Sequence, residues 1–192
     1  MEYTGTLIAI DSGSSQSGVV VVKGLKIAYA ANLPNVEVLK LVKATKKDDG
    51  GLVVLVEDIK PYSVSLTQST IDTCKFIGRV CFFMEAGRVK YELITRHQVK
   101  KWVYDQFPTV VLERICKKIA YKNKRNNDGK LRKPSYVYVD DRIVIAAMKD
   151  LWKIPTPKPG KKNVLGLSDH SWQALGVMSY FLYGRHSHQL PT

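Results

Sequence analysis

The sequence predicts an α/β protein built on a five-stranded sheet with helices on its faces. Longer segments with apolar residues at helical spacing separate or follow the strand candidates. The length of 192 residues suits one domain with room for one insertion. Short runs of aliphatic and β-branched residues, which predict the strands, occur at 7–11, 18–23, 26–32, 52–56 and 90–94.

Turn signals separate the first strands. The small residues at 12–17 allow a tight turn after the first strand, and Gly24 turns the second strand into the third. Apolar residues at helical spacing predict a short helix over 36–46. The Asp-Asp-Gly-Gly run at 48–51 is a turn signal, and it precedes the fourth strand.

The second half of the chain is predicted to be mainly helical. Helical spacing predicts helices over 67–87, 95–106, 109–120, 140–152 and 168–183. Between them, the region 121–162 is polar and basic, and it ends in a Pro-rich stretch that favours an extended connector. We therefore expect residues 1–192 to form a single domain with a basic loop or insertion around 121–162.

The charge balance restricts the class of partner. Thirty Lys and Arg against seventeen Asp and Glu give a net charge of +13. Such a field attracts polyanions, above all nucleic acid, although a basic protein without such a partner is the alternative. No apolar run reaches the roughly 18–20 residues of a spanning helix, and no signal peptide is recognisable. We therefore expect no membrane partner and a cytoplasmic location.

The three cysteines predict reduced thiols. Cys74, Cys81 and Cys116 form no Cys-x-x-Cys pair and no Cys/His cluster. A disulfide framework or a zinc site is therefore not expected. We expect buried thiols in a reducing compartment.

Two acidic residues each end a predicted buried strand, Asp11 after the first and Glu57 after the fourth. If these strands are neighbours, the two side chains emerge together, and close carboxylates repel each other. A divalent cation that prefers hard oxygen ligands, Mg²⁺ or Mn²⁺, would remove that cost. The alternatives are structural, because Asp before Ser-Gly is a common turn residue and Glu57-Asp58 can be a solvated strand end.

The start of the last predicted helix offers a third group. Ser168 can cap this helix, and Asp169 then lies in its first turn, where the helix dipole favours an anion. Gln173 shares a helix face with both Asp169 and His170, because it follows them by four and three residues. An acid, an imidazole and an amide would thus project from one helix end. The alternative is a cap beside an ordinary surface histidine.

Three motifs in this order resemble the RNase H-like nucleases, and within them the RuvC-type Holliday junction resolvases, especially the bacteriophage-encoded members. The resemblance covers most of the chain except 121–162, and it implies an RNase H-like mixed sheet. A weaker similarity lies at 94–101, where the family often has a Val-Lys pair before a helix. The three motifs are Ile8-Ala-Ile-Asp11-Ser-Gly13, Val54-Leu-Val-Glu57 and Ser168-Asp-His170-Ser-Trp-Gln173-Ala-Leu175.

The resemblance implies a metal centre for phosphodiester hydrolysis. Asp11 would bridge two Mg²⁺ or Mn²⁺ ions about 4 Å apart, and Glu57 would be the second ligand. The last helix would supply the third ligand. The family's usual last acid corresponds to Gln173, so Asp169, His170 and Gln173 all stay candidates.

Other acidic residues are reserve candidates for the same role. Asp140 and Asp141 lie at the predicted start of the helix that precedes the last one. The favoured interpretation is that they cap this helix, with Arg142 beside them.

The resemblance implies that Lys100 or Lys101 would contact the phosphate near the cut, with a solvated helix face as the alternative. Tyr62 follows Glu57 by one short loop, so it could stack on an unpaired base, with a packing role as the alternative. Many other basic residues would bind phosphates with little sequence preference. These are Lys101, Lys117, Lys118, Lys122, Lys124, Arg125, Lys130, Arg132, Lys133, Lys158, Lys161 and Lys162.

Together these features predict a metal-dependent, structure-selective endonuclease that resolves four-way or other branched DNA junctions in a bacterial cytoplasm or phage-infected cell. A junction with two-fold symmetry calls for two active sites, so a homodimer is expected. The helix over 67–87 is the candidate interface, although packing on the sheet is the alternative. Its apolar set is Ile71, Cys74, Ile77, Cys81 and Met84, with Gly78 among them.

Two other functions fit parts of the sequence. A catalytically weakened RNase H-like nucleic-acid-binding protein would explain Gln173. An actin-like ATPase or sugar kinase would share the Asp-x-Gly signal at the first strand. The chain has neither the length nor the second phosphate loop that those enzymes need.

Overall fold

A computed structural model describes residues 5–48, 51–59, 67–126, 135–155 and 165–185. Within these ranges the strands are β1 (Thr6–Asp11), β2 (Gln16–Lys23), β3 (Lys26–Pro34), β4 (Val53–Asp58) and β5 (Lys90–Thr95). The α-helices there are α1 (Asn35–Asp48), α2 (Gln68–Ala86), α3 (Arg96–Gln106), α4 (Pro108–Asn126), α5 (Asp141–Leu151) and α6 (Asp169–Ser179). The predicted strands and helices are confirmed.

The strands form one mixed sheet in the order β3-β2-β1-β4-β5. The first three strands are antiparallel neighbours, whereas β1 pairs with β4 and β4 with β5 in parallel. The carboxyl ends of β1, β4 and β5 therefore meet at one edge of the sheet. The predicted α/β class with a five-stranded mixed sheet flanked by helices is confirmed.

Side chains alternate between two apolar layers. On one face, Ile8, Ile10, Val54 and Val56 pack against α1 and α2. On the other face, residues such as Leu55 pack against α3, α4, α5 and α6. Both layers are apolar because these strands are buried on both faces, as in other parallel sheets covered by helices.

Side-chain caps fix where several helices begin. The Thr67 hydroxyl accepts a hydrogen bond from the Thr70 amide at the start of α2. Thr95 and Gln98 form a capping box at the start of α3. Asp140 caps α5 by accepting from the Ile143 amide at 3.1 Å. The capping interpretation of Asp140 is thus confirmed.

Four details differ from the predictions. Helix α4 continues to Asn126, past its predicted end at 120, and α6 ends at Ser179 with a π-helical turn over Tyr180–Gly184. A short 3₁₀ helix, Tyr136–Tyr138, was not predicted. The expectation of buried thiols was wrong, because Cys74 and Cys116 lie on the outer faces of their helices. No described helix has the length and apolarity that crossing a membrane requires.

Candidate active site

Two carboxylates meet at the sheet edge. Ile10 and Val56 are register partners in parallel strands, and both face α1 and α2. The residues that follow them, Asp11 and Glu57, therefore face the opposite side, toward α3 and α6. Asp11 is 3% exposed and Glu57 is 6% exposed. The predicted juxtaposition of Asp11 with Glu57 is observed.

Burial dominates the ionisation of this pair. It raises the pKa of Asp11 and raises that of Glu57 well above its usual range. The hydrogen bond to Asp11 and the negative charge of Asp11 raise the pKa of Glu57 further, whereas the same hydrogen bond lowers that of Asp11. Burial thus disfavours ionisation of both carboxyls, and the charge of Asp11 disfavours that of Glu57 further. A cation bound beside the pair would favour the ionised forms.

The first turn of α6 lies directly over β2, because Gly18 has no side chain. A Cβ at Gly18 would stand 2.1 Å from the carbonyl carbon of His170. The Ser171 amide also donates to the Asn32 side chain on β3 at 3.1 Å. Gly18 pairs with Asp11 across the β1–β2 ladder. This close approach brings the His170 ring to the carboxylate edge.

His170 contacts Asp11 with its Nδ1 atom, 2.7 Å from Oδ2. When Nδ1 donates to the carboxylate, the neutral ring carries its lone pair on Nε2. Half of the His170 side chain is exposed, and it lines the same cavity as both carboxylates. His170 is thus held by one atom and leaves the other free to take a proton or a metal ion.

Positive charge enters from the start of α3. The Nε atom of Arg96 lies 3.5 Å from a Glu57 oxygen, and its Nη2 atom lies 3.3 Å from Asp141. Lys100, one turn further along, lies 3.9 Å from the same Asp141 oxygen. Burial, followed by the charge of Arg96, lowers the pKa of Lys100.

These groups line a cavity of about 450 Å³. One wall is carbon-rich, with Tyr136 and the exposed Val137 beside His97, whose ring meets the Tyr136 ring edge-to-face at 4.8 Å. Ser12 is 8% exposed, and its Oγ has no hydrogen-bond partner within the described ranges. A buried hydroxyl without a partner is costly, so Ser12 can serve as a hydrogen-bond partner or ligand for a group bound in this cavity.

The donor set fits a hard divalent cation in part. Asp11 and Glu57 supply carboxylate oxygens, Ser12 a hydroxyl, and His170 a ring nitrogen beside Asp11. These are ligands that Mg²⁺ and Mn²⁺ accept, together with water and phosphate oxygens. Among the described residues, however, no group of three or more His, Cys, Asp or Glu side chains is arranged to hold a metal ion.

The other predicted ligands lie apart from the cavity. Asp169 is exposed on α6, and Gln173 is buried one turn further on; neither is among the residues that line the cavity. Of the three candidates for a third ligand, only His170 contacts Asp11 in the described residues. Asp141, a reserve candidate, instead pairs with Arg96 and Lys100.

The predicted DNA contacts divide into three groups. Lys100 lines the cavity, whereas Lys101 pairs with Asp105 and Lys117 pairs with Glu113, both at 2.6 Å. The side chains of Lys118, Lys122, Lys124 and Arg125 fall outside the description, although their backbone belongs to α4. The remaining predictions lie outside the described residues: Tyr62, Lys130, Arg132, Lys133, Lys158, Lys161 and Lys162.

A second basic surface runs beside the candidate site. Arg114 and Lys117 of α4 and Arg142 of α5 line a groove of about 400 Å³, together with Asp140 and Ile143. Three cations in one groove favour a polyanion over a neutral ligand. Arg142 follows Asp141 directly, so this groove begins next to the candidate active site.

Sequence reasoning missed Arg96. A cation in the first turn of a helix is unfavourable with the helix dipole, so its presence signals a nearby anion. Arg96 is the first residue of α3 and directly follows the strand beside β4. That signal was available, whereas the partners Glu57 and Asp141 come from distant parts of the chain.

Comparisons with known proteins support the fold. No protein-family model and no curated protein matches this sequence. The structure of T. thermophilus RuvC in complex with Holliday junction substrate is similar, with a TM-score of 0.56 and 12% identity over 94% of this chain and 95% of that chain. A Thermus thermophilus RuvC structure matches with a TM-score of 0.55 and 13% identity over 97% and 99%. The chain therefore shares its RNase H-like fold with RuvC.

Proposed function

We propose that this chain is a metal-dependent endonuclease that nicks branched DNA, with four-way junctions as the preferred substrate. The observation that carries the proposal is the contact of Asp11 with Glu57 and His170 at the edge of a RuvC-like sheet. The similar RuvC structure holds a Holliday junction substrate, which motivates the choice of substrate.

The chemistry follows from the charges in the cavity. Mg²⁺ or Mn²⁺, as one or two ions held by Asp11 and Glu57, would activate water and stabilise the leaving oxygen. Binding of such a cation would favour the ionised forms of Asp11 and Glu57, whose pKa values are raised by burial. Nε2 of His170 can accept a proton from the attacking water while Nδ1 stays on Asp11. Lys100 can neutralise a phosphate oxygen in the same cavity.

The DNA duplex would be held outside this cavity. The groove with Arg114, Lys117 and Arg142 lies beside it, and the net charge of +13 attracts the phosphate backbone. The basic region around 121–162 is proposed as a loop or insertion in a single nuclease domain, and Tyr62 as a base-stacking residue. Contacts of this kind give affinity that falls steeply with salt.

A homodimer would supply the two cuts that a two-fold junction requires. Of the apolar set predicted for its interface, Ile77 and Met84 face the sheet. The outer face of α2 instead carries Ile71, Cys74 and Phe82, and Phe82 is 72% exposed. We propose this outer face as the dimer contact. A bacterial cytoplasm or phage-infected cell is proposed as the location.

One observation favours a second function. Gln173 replaces the family's usual acid, and among the described residues no acidic side chain of α6 lines the cavity. A protein that binds junctions without cutting them would need no third ligand. Retention of two buried carboxylates at an energetic cost favours the enzyme over such a binder.

A nicking assay tests the proposal. The protein should nick a fixed, labelled four-way junction with Mg²⁺ or Mn²⁺ and lose this activity with EDTA. Asp11→Asn should lower cleavage by roughly 10⁴-fold, as loss of a catalytic group does in other hydrolases. Junction binding, measured by gel shift, should stay unchanged or tighten, because a negative charge near the phosphate is removed.

Asp58→Asn is the matched control. Asp58 ends the same strand as Glu57 and lines the cavity, but its carboxylate does not enter the pair with Asp11. It should retain most of the cleavage. Tight junction binding with no metal-dependent nicking by the wild type would favour the binding protein instead.

A further inference from the structure

Arg96 occupies the place beside Glu57 from which a metal ion would bind. Its Nε atom lies 3.5 Å from a Glu57 oxygen, and the guanidinium lines the cavity. The Glu57 side chain is 8% exposed, so an approach from the cavity is the open route to its carboxylate. A cation that binds there meets the guanidinium, and the two repel each other.

Asp141 offers the guanidinium a second partner. Its oxygen lies 3.3 Å from Nη2 of Arg96, so Glu57 and Asp141 bind different nitrogens of one fork. Asp141 is held in place because the Asp140 side chain caps α5 just before it. Arg96 can therefore release Glu57 by side-chain rotation and keep its bond to Asp141.

The two carboxylates differ in exposure in a way that favours this exchange. The Glu57 side chain is only 8% exposed, whereas the Asp141 side chain is 54% exposed. The buried carboxylate gains most from a doubly charged ion, because water screens it least. The exposed carboxylate is the natural partner for the displaced single charge.

We propose that Arg96 is a positioning residue. Its guanidinium pairs with the Glu57 carboxylate until a divalent cation binds there, and it is then held by Asp141 alone. This inference rests on the proposed metal site. Arg96 would then compete with the metal ion for Glu57, whereas Asp141 would favour metal binding by holding the displaced guanidinium. The two residues would have opposite effects although they form one ion pair. With the ion in place, Arg96 and Lys100 both lie against Asp141 and face the cavity.

The test is Mn²⁺ affinity without DNA, measured by calorimetry and by the EPR signal of free Mn²⁺. Arg96→Gln should bind Mn²⁺ more tightly than the wild type, by about 5–50-fold, as for typical couplings between sites. Asp141→Asn should bind more weakly, because the guanidinium then stays on Glu57. In the Arg96→Gln background, Asp141→Asn should have little effect.

Matched controls separate this competition from general charge effects. Lys101→Gln removes the same charge from the same helix, but Lys101 pairs with Asp105. It should change Mn²⁺ affinity by less than about twofold, since exposed charges are screened. If Arg96→Gln melts at a lower temperature than the wild type, Arg96→Met serves as the second variant because it keeps the aliphatic stem. It should bind Mn²⁺ as tightly as Arg96→Gln.

The outcomes distinguish the inference from the proposed function. Equal Mn²⁺ affinity in Arg96→Gln, Arg96→Met and wild type, or an Asp141→Asn effect that persists without Arg96, would overturn the role of Arg96. Undiminished Mn²⁺ binding by Asp11→Asn would overturn the metal site and this inference together. The metal site and the role of Arg96 are both supported if Asp11→Asn loses Mn²⁺ binding and the Arg96 and Asp141 variants shift the Mn²⁺ affinity in opposite directions.

Discussion

The two faces of the central sheet end differently. On the face covered by α1 and α2, Ile10 and Val56 continue the apolar core to the carboxyl ends of β1 and β4. On the face covered by α3 to α6, Asp11 and Glu57 follow at the same level. Both pairs are buried, so the difference between the faces is one of charge and not of depth.

This difference favours the face covered by α3 to α6 as the one that carries the candidate site. Burying an aliphatic side chain stabilises a fold by about 1.5–3 kcal/mol, whereas burying a carboxylate without a counter-charge costs free energy. A fold that needed only stability could have continued the apolar pattern on both faces. The acidic pair, the cations of α3 and the cavity all lie on one face.

The sharpest test of this contrast replaces one side chain on each face in separate variants. Ile10→Ala should lower the free energy of unfolding by about 2–5 kcal/mol at every pH, because it leaves a cavity in the core. Glu57→Gln should instead raise the free energy of unfolding at neutral pH in EDTA. Urea unfolding between pH 5 and pH 8 measures both.

The sign for Glu57 follows from its pKa. Burial raises the pKa of folded Glu57 above that of the unfolded chain. The protonated form therefore contributes stability that is present below the unfolded value, about 4.3, and lost as the pH rises toward the folded value. Each pKa unit between the folded and unfolded states amounts to about 1.4 kcal/mol of stability lost at high pH. Gln avoids this loss because it does not titrate. An equal loss of stability in both variants at all pH values would remove the contrast between the faces.

Two adjacent lysines test how far the functional face extends along α3. Lys100 lines the cavity, whereas Lys101 points away and pairs with Asp105. Lys100→Ala should lower the cleavage rate at saturating DNA by about 10²-fold, the effect of losing one donor to developing charge. Lys101→Ala should change it by less than about threefold, since an exposed ion pair contributes little. Single-turnover cleavage distinguishes them, and equal rates would contradict the assignment of Lys100.

Two glycines test the spacing between the sheet and α6. Gly18→Ala forces a methyl group against the His170 backbone and should cost about 1–3 kcal/mol. At Gly78, on the outer side of α2, a Cβ meets nothing within 4 Å. Gly78→Ala should therefore stabilise by up to about 1 kcal/mol. Thermal unfolding measures both, and a neutral Gly18→Ala would show that α6 can shift.

The strands and the acidic pair were predictable because they depend on local pattern. Apolar runs located β1 and β4, and a carboxylate at the end of each run predicted the contact between Asp11 and Glu57. Because β1 and β4 pair in parallel with Ile10 opposite Val56, the residues that follow them, Asp11 and Glu57, lie on the same face of the sheet. The cap at Asp140 was readable for the same reason, because a cap acts within one helical turn.

The remaining site residues were less predictable because they depend on how helices rotate over the sheet. The start of α6 was correct to one residue, yet the sequence left the choice among Asp169, His170 and Gln173 as the third ligand open. The contact of the Ser171 amide with Asn32 and the missing side chain at Gly18 set the rotation that selects His170. Arg96 was missed because both its partners are distant in sequence.

The absence of a side chain at Gly18 makes the candidate site more sensitive to substitution at this position than the fold is. One added carbon atom there would lift the imidazole away from its acidic neighbour while most of the interior stayed intact. On the proposed nuclease function, a single codon change could thus abolish strand scission and leave the basic exterior intact. Descendants with a side chain at this position would then be expected to retain DNA without severing it.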